Sequence, residues 1–290
     1  MRQLHLKAFA KVNLGLDVVR KREDGYHEVS MIMQTVNLFD RIELIRQKET
    51  GIRIQTNLFY LPVNENNLVY QAAKLLMDEF KIKKGLYINL HKYIPVAAGM
   101  AGGSSDAAAV LYGMNKMFSL GLSLDELMER GVSLGADVPY CLMRGTVLAE
   151  GMGEKLTVLP PVPFCYVLIA KPNISVSTKF VYENLKVGEL AFHPDIPGIV
   201  EAITGQDLDG IASRLENVLE SVTIPAYPVI ESIKHHMKTQ GAMNAVMSGS
   251  GPTVFGLYKD QQVAKAALES LRTSNLAKQI YLTTWYNRNT

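Results

Sequence analysis

The pattern of apolar and polar positions changes period several times along the chain. Leu4 to Val19 reads as a strand with partial alternation, and it closes at Lys21 to Gly25, where Asp24-Gly25 is a turn signal. Met31 to Ile45 is again strand-like. From Leu68 the period lengthens: Leu68, Ala72, Leu75, Leu76 and Phe80 recur at helical spacing, with Asn67 placed to cap the helix. Leu86 to Leu90 reads as a strand. The small-residue stretch Pro95 to Ala109 then leads into a helix that begins around Ser105 and runs to about Phe118. Ser123 and Glu126 form a capping box for a helix over Leu124 to Leu134. Short strands are expected at Gly145 to Leu148 and Leu156 to Leu159, around a turn at Gly151 and Gly153.

The stiff run Pro160-Pro161-Val162-Pro163 marks a domain junction, giving domains at 1–160 and 161–290. Beyond it the pattern predicts a strand at Phe164 to Ala170, helices near 197–204, 208–221 and 227–239, and a strand at Ala245 to Ser248. A strand at Thr253 to Tyr258, a helix at Gln261 to Leu271 and a strand at Gln279 to Thr284 follow. Strands and helices mixed in this way predict an α+β architecture. There is no internal repeat.

Composition narrows the function. Lysine and arginine total 30 against 28 aspartates and glutamates in 290 residues, so the chain carries no basic excess that would point to nucleic acid. Its longest apolar stretch, Pro161 to Ala170, is too short to span a bilayer. Lys7 and Lys11 interrupt any apolar leader, which argues against a secretory signal. The two cysteines, Cys141 and Cys165, form no CxxC pair and read as buried thiols of a cytoplasmic protein. No His, Cys and carboxylate set has transition-metal spacing, and His235 and His236 read as solvated beside Lys234 and Lys238.

The candidate chemistry begins with Pro95-Val96-Ala97-Ala98-Gly99-Met100-Ala101-Gly102-Gly103-Ser104-Ser105. Small residues let backbone N–H groups approach a phosphate, and the following helix adds its unpaired N–H groups and positive dipole end. Ser104 and Ser105 supply hydroxyls for phosphate oxygens or a magnesium ion. No Gly-Lys-Ser or Gly-Lys-Thr follows, so this is not a P-loop, and the glycines lack dinucleotide-fingerprint spacing. The plainer reading is a flexible loop before a capped helix. Gly249-Ser250-Gly251 is a hairpin turn, a cover that closes over the phosphates, or a brace for the first loop.

Lys11 and Asn13 lie two apart and share one face of a strand, where they can reach one ligand. Alternatively Lys11 is an edge-strand lysine that resists aggregation. Asp137, within Gly135-Ala136-Asp137-Val138-Pro139, is either a paired carboxylate or a turn residue. Tyr26 and His27, after Asp24-Gly25, offer a ring for stacking and an imidazole for a base edge, or simply an exposed aromatic on a hairpin.

Taken together, three segments resemble the motifs of the GHMP kinases, in order: Lys11-Val12-Asn13-Leu14, Pro95 to Ala109, and Ser248 to Phe255. Asp24-Gly25-Tyr26-His27 and Gly135 to Pro139 are similar to signatures of the branch that acts on a cytidine-diphosphate-linked methylerythritol. The resemblance covers essentially the whole chain. It implies an N-terminal domain like ribosomal protein S5 domain 2, a ferredoxin-like C-terminal domain, and use of ATP with Mg2+ to phosphorylate the 2-hydroxyl of that small molecule. It also implies that Lys11 and Asp137 are the catalytic pair, with Asp137 accepting the hydroxyl proton and Lys11 holding it and the reacting groups. Asn13 would orient the substrate, Tyr26 and His27 would grip the cytosine, and Tyr182 would stack on the base's other face. Two departures stand out. Ala101 replaces a frequent glycine and disfavours a positive φ there. Met152, between Gly151 and Gly153, replaces a frequent basic residue, so no phosphate contact comes from that side chain. A homoserine- or mevalonate-type kinase shares the general motifs but has no need of Tyr26 and His27, and a nucleotide-binding regulator that had lost activity would not need both Lys11 and Asp137.

Overall fold

Two long strands carry the architecture. In the computed structural model, which describes residues 2–287, β1 (Gln3–Lys21) and β2 (His27–Gln47) each run through two units. The first unit comprises residues 1–10, 38–96 and 101–143, and the second comprises 11–37, 97–100 and 144–290. The division is therefore interleaved and does not coincide with a single cut at 160/161.

In the first unit, β3 (Ile52–Thr56) pairs in parallel with β4 (Gly85–His91), and β4 pairs antiparallel with the far half of β2. Helix α1 (Leu68–Glu79) starts where Asn67 accepts the Val69 N–H at 3.1 Å, as its spacing predicts. Helix α2 (Gly102–Phe118) begins three residues earlier than the sequence pattern suggests, so Gly102 and Gly103 belong to its first turn. Its buried residues include Ala107, Ala108, Val110, Leu111 and Met114. The predicted Ser123–Glu126 capping box is present at the start of α3 (Leu124–Val132). A short helix, α4 (Val138–Met143), follows Asp137; it has only six residues and carries Pro139 in its first turn, so no helical periodicity announces it.

In the second unit, β5 (Thr146–Gly151) pairs with the near half of β2 and with β6 (Lys155–Val158). A second sheet has the order β11–β7–β10–β9, formed by β7 (Tyr166–Lys171), β9 (Asn244–Met247), β10 (Val254–Tyr258) and β11 (Gln279–Thr284). Its helices are α5 (Thr178–Asn184), α6 (Ile196–Thr204), α7 (Leu208–Ser213), α8 (Glu220–Ala226), α9 (Val229–Thr239) and α10 (Gln261–Thr273).

The single helix expected over 208–221 is broken between α7 and α8 by β8 (Glu216–Asn217), which pairs in parallel with Gly15 and Leu16. Asn217 explains the break. Its amide donates to the Met247 and Gly249 carbonyls at 2.8 Å each, and its oxygen accepts the Leu219 N–H. On α9, Lys234 is not solvated: it is bonded to Glu220 at 2.6 Å, and His236 lies 3.0 Å from the Ser270 hydroxyl. Among the described residues no helix is long and apolar enough to cross a membrane.

Candidate active site

β1 is buried without interruption from Ala8 to Leu16, so both faces of that stretch are covered and any charge on it must be paired. Lys11 is only 5% exposed, which excludes the solvent-facing edge lysine. Its ammonium donates to Asn13 Oδ1 at 2.8 Å, and its backbone N–H donates to the Met100 carbonyl at 3.2 Å. The strand therefore presents a lysine and an amide together, tied to the small-residue loop.

That loop has an unusual backbone. Ala97, Gly99 and Ala101 all have positive φ, at 50°, 72° and 55°. Left-handed residues interspersed in a turn aim neighbouring N–H groups to one side and make an anion-binding concavity. Ala101 is the N-cap of α2 and makes no side-chain capping bond. The first N–H groups of a 17-residue helix are thus left uncapped by a side chain at the end of the loop. The expected departure at Ala101 does not occur, because the alanine adopts the left-handed conformation despite its Cβ. Such a conformation costs about 1–2 kcal/mol for an L-residue. Ala101→Gly should therefore hold or raise stability by up to about 1 kcal/mol, the gain being limited by glycine's unfolded-state entropy. A fall of urea midpoint in that variant would contradict the strain.

The two glycine segments interlock. A Cβ on Gly99 would stand 2.1 Å from the Ser248 carbonyl oxygen, and the Ser248 hydroxyl donates to the Gly99 carbonyl at 2.9 Å. Gly249, at φ 56°, backs onto the Gly99 carbonyl. Ser250 bonds Thr178 at 2.8 Å, and Gly251 N–H donates to the Ser248 carbonyl. Gly249-Ser250-Gly251 thus packs behind the first loop, as the bracing role requires.

The paired serines differ. Ser105 is buried, and its hydroxyl donates to the Phe9 carbonyl at 2.7 Å, so its proton is committed to the fold. Ser104 is partly exposed, and its Oγ lies 3.7 Å from where a Cβ on Gly135 would stand. The Gly135–Asp137 turn therefore lies beside the helix start. Asp137 is half-buried, and its carbonyl accepts the Cys141 N–H at 3.0 Å as α4 begins. Asn67 and Leu68, weak candidates for an adenine pocket, are partly engaged already: Asn67 caps α1 and donates to the Pro62 carbonyl, while Leu68 lies against Gly103.

At the hairpin between β1 and β2, Asp24 accepts the Tyr26 N–H at 3.1 Å and Gly25 takes φ 86°. Tyr26 is 65% exposed, whereas His27 is partly buried with its ring centroid 5.2 Å from that of Tyr182. The structure brings His27 and Tyr182 together as neighbours. The two rings are tilted by 45° to each other. His27 Nε2 is buried and, among the described residues, has no hydrogen-bond partner. Burial, reinforced by Lys21, pushes the His27 imidazole below its ordinary value. A neutral ring with one unsatisfied nitrogen is equipped to read a polar edge.

Sequence reasoning missed the buried cluster of Asp40, Lys92 and Asp106 and the anchor Asn217. Each looks like an ordinary surface polar residue in its own segment; only Asp106, set among small apolar residues, gives any local signal. Among the described residues no group of three or more His, Cys, Asp or Glu is placed to hold a metal ion. Cys141 and Cys165 are both buried, and burial pushes the Cys165 thiol up to about 12.

Residues 67–145 match the family model of the GHMP kinases N terminal domain, and residues 199–277 match that of the GHMP kinases C terminal domain. A 4-diphosphocytidyl-2-C-methyl-D-erythritol kinase of Lachnospira eligens is 59% identical over 98% of both chains. A crystal structure of a 4-(cytidine 5'-diphospho)-2C-methyl-D-erythritol kinase superposes with a TM-score of 0.84 at 31% identity, covering 97% of this chain and 99% of that one. A homoserine kinase from Cytophaga hutchinsonii, at 22% identity and TM-score 0.80, shares the fold. Full-length identity of this order, with both halves matched, means that the chain belongs to the 4-diphosphocytidyl-2-C-methyl-D-erythritol kinases of the GHMP kinase family.

Proposed function

We propose that the protein transfers the γ-phosphoryl group of ATP to the 2-hydroxyl of 4-diphosphocytidyl-2-C-methyl-D-erythritol, a step in isoprenoid precursor synthesis. The observation that carries the nucleotide half of this reading is the run of left-handed residues at 97, 99 and 101 leading into an uncapped helix. A cradle of backbone N–H groups at a helix start suits a polyphosphate. The acceptor half is supported by the names of the full-length relatives and by the unsatisfied Nε2 of His27.

Phosphoryl transfer needs positioning and charge stabilisation more than covalent chemistry from the protein. In this reading Pro95 to Ser105 holds the ATP phosphates, with Gly249-Ser250-Gly251 bracing the loop from behind. Lys11 neutralises charge on the transferring group, and Asn13, bonded to it, fixes its direction and orients the acceptor. Asp137 aligns the acceptor hydroxyl and takes its proton. Mg2+, where bound, would neutralise phosphate charge, with the Ser104 hydroxyl at the helix start as a candidate ligand. Tyr26 and Tyr182 stack on the faces of the cytosine, and His27 bonds its edge. The two family matches fall on either side of Pro160–Pro163, which supports 1–160 and 161–290 as the domains in the evolutionary sense. A cytoplasmic location agrees with the two buried thiols.

The pH dependence follows from His27. Its folded-state value lies below that of an exposed histidine, so the neutral ring is present above about pH 6.5 and is lost as pH falls through the lowered value. The KM for the cytidine substrate should rise at acid pH in the wild type. In His27→Ala it should be raised throughout and lose that dependence. An unchanged kcat/KM in His27→Ala would remove this residue from the base site. Phosphorus NMR of the product tests the reaction itself: a new phosphomonoester at the 2-position of the methylerythritol is expected, and phosphate elsewhere would contradict the assignment.

A further inference from the structure

Three ionisable side chains distant in sequence meet inside the first unit. Lys92, just beyond β4, donates to Asp106 Oδ2 on α2 at 2.5 Å and also to Asp40 Oδ2 on β2. None of the three side chains is more than 4% exposed. The two carboxylates are not equivalent. Asp40 Oδ1 also accepts the backbone N–H groups of Tyr93 and Ile94, at 2.5 and 2.8 Å. Asp106 has no backbone amide of that kind: its carboxylate accepts from Lys92 and faces that of Asp40, and its Oδ1 is buried with no partner among the described residues.

The placement of the cluster is informative. A well-packed apolar set of the same volume would serve stability as well as a buried ion pair. This cluster lies at the end of α2 that carries the loop, not along the helix middle. A Cβ on Gly102 would stand 3.3 Å from Lys92 Nζ and 3.1 Å from Ile94 Cγ2, so the ammonium abuts the first residue of the helix. Asp40 is fixed by the strand-end amides, Lys92 is fixed by Asp40, and the helix start is fixed by Lys92 through Asp106. The chain of directional bonds ends one turn from the amides of Gly102, Gly103 and Ser104.

We propose that Asp40, Lys92 and Asp106 are positioning residues that set the start of α2, and with it the first-turn amides, for the phosphates of the nucleotide. The inference rests on the reading of Pro95 to Ser105 as the ATP-phosphate segment. Misplacing such amides by a fraction of an ångström weakens nucleotide binding while leaving the acceptor site untouched.

The test compares steady-state constants of the full chain. Lys92→Met alone leaves two carboxylates facing each other without a counter-ion and risks misfolding. The double variant Lys92→Met with Asp106→Leu removes the ammonium and the carboxylate together and leaves Asp40 on its backbone amides. Its folding is checked by circular dichroism. The KM for ATP is expected to rise about tenfold or more in the folded double variant, with the KM for the acceptor within about twofold of wild type. Asp106→Asn, which keeps an oxygen for Lys92, should retain a KM for ATP within about twofold of wild type. A folded double variant with wild-type KM for ATP would overturn the proposal, as would a rise in Asp106→Asn equal to that of the double variant. Absence of saturable ATP dependence in the wild type would instead remove the nucleotide reading on which the proposal stands.

Discussion

Replacing Asp137 with alanine is expected to lower turnover by about 10² to 10⁴-fold, the usual worth of a positioned acid–base group. ATP binding, measured by calorimetry, should stay within about twofold of wild type. The separation follows from the local structure. Asp137 is half-buried ahead of α4, and the bond that starts that helix uses its backbone carbonyl, not its carboxylate. Alanine keeps that bond, so the start of α4 is retained in the variant. In a loose transition state the hydroxyl proton leaves late, so the carboxylate contributes alignment as much as basicity. Turnover near wild type in Asp137→Ala would assign the proton acceptor to another group.

Gly99→Ala is expected to damage both stability and nucleotide affinity. The residue sits at φ 72°, and its new Cβ would meet the Ser248 carbonyl oxygen at 2.1 Å, a backbone atom that cannot swing aside. Left-handed strain of about 1–2 kcal/mol adds to an overpacking cost of about 1–3 kcal/mol. The denaturant midpoint should fall with little change in slope. Because Gly99 and Ser248 hold the two glycine loops together, the shift also moves the cradle, and the KM for ATP should rise by about tenfold or more. Gly25→Ala is the natural comparison. That glycine also has positive φ, at 86°, but a Cβ there meets nothing within 4 Å, so only the backbone strain applies. Equal losses in the two variants would mean that the contact with Ser248 carries no weight.

Much of this architecture is legible in the sequence, and the exceptions have physical causes. Asn67, the Ser123–Glu126 box and the apolar spacing of Leu68, Ala72, Leu75 and Leu76 act locally, and α1 and α3 start where these signals put them. The break between α7 and α8 is tertiary in origin: Asn217 bonds carbonyls 30 and 32 residues away, which no local pattern carries. The early start of α2 is hidden because its first two residues are glycines, which propensity disfavours in a helix, while Lys92 and Ile94 approach the first of them closely. Of the site, the glycine segments and the Lys11–Asn13 pair follow from spacing on a strand. The loop conformation does not, since two of its three left-handed residues are alanines. Nor does the buried cluster, since Lys92 lies 52 residues from Asp40 and 14 from Asp106, separations that no local pattern spans.

The most direct test of the account is substrate-dependent release of ADP. The purified chain would be given ATP, magnesium and 4-diphosphocytidyl-2-C-methyl-D-erythritol, with homoserine and mevalonate in parallel and Asp137→Ala as the control. The account predicts ADP release only with the cytidine compound, and its loss in the variant. Release with homoserine or mevalonate instead would contradict the roles given to Tyr26 and His27, and no release with any acceptor would contradict the kinase reading of the site.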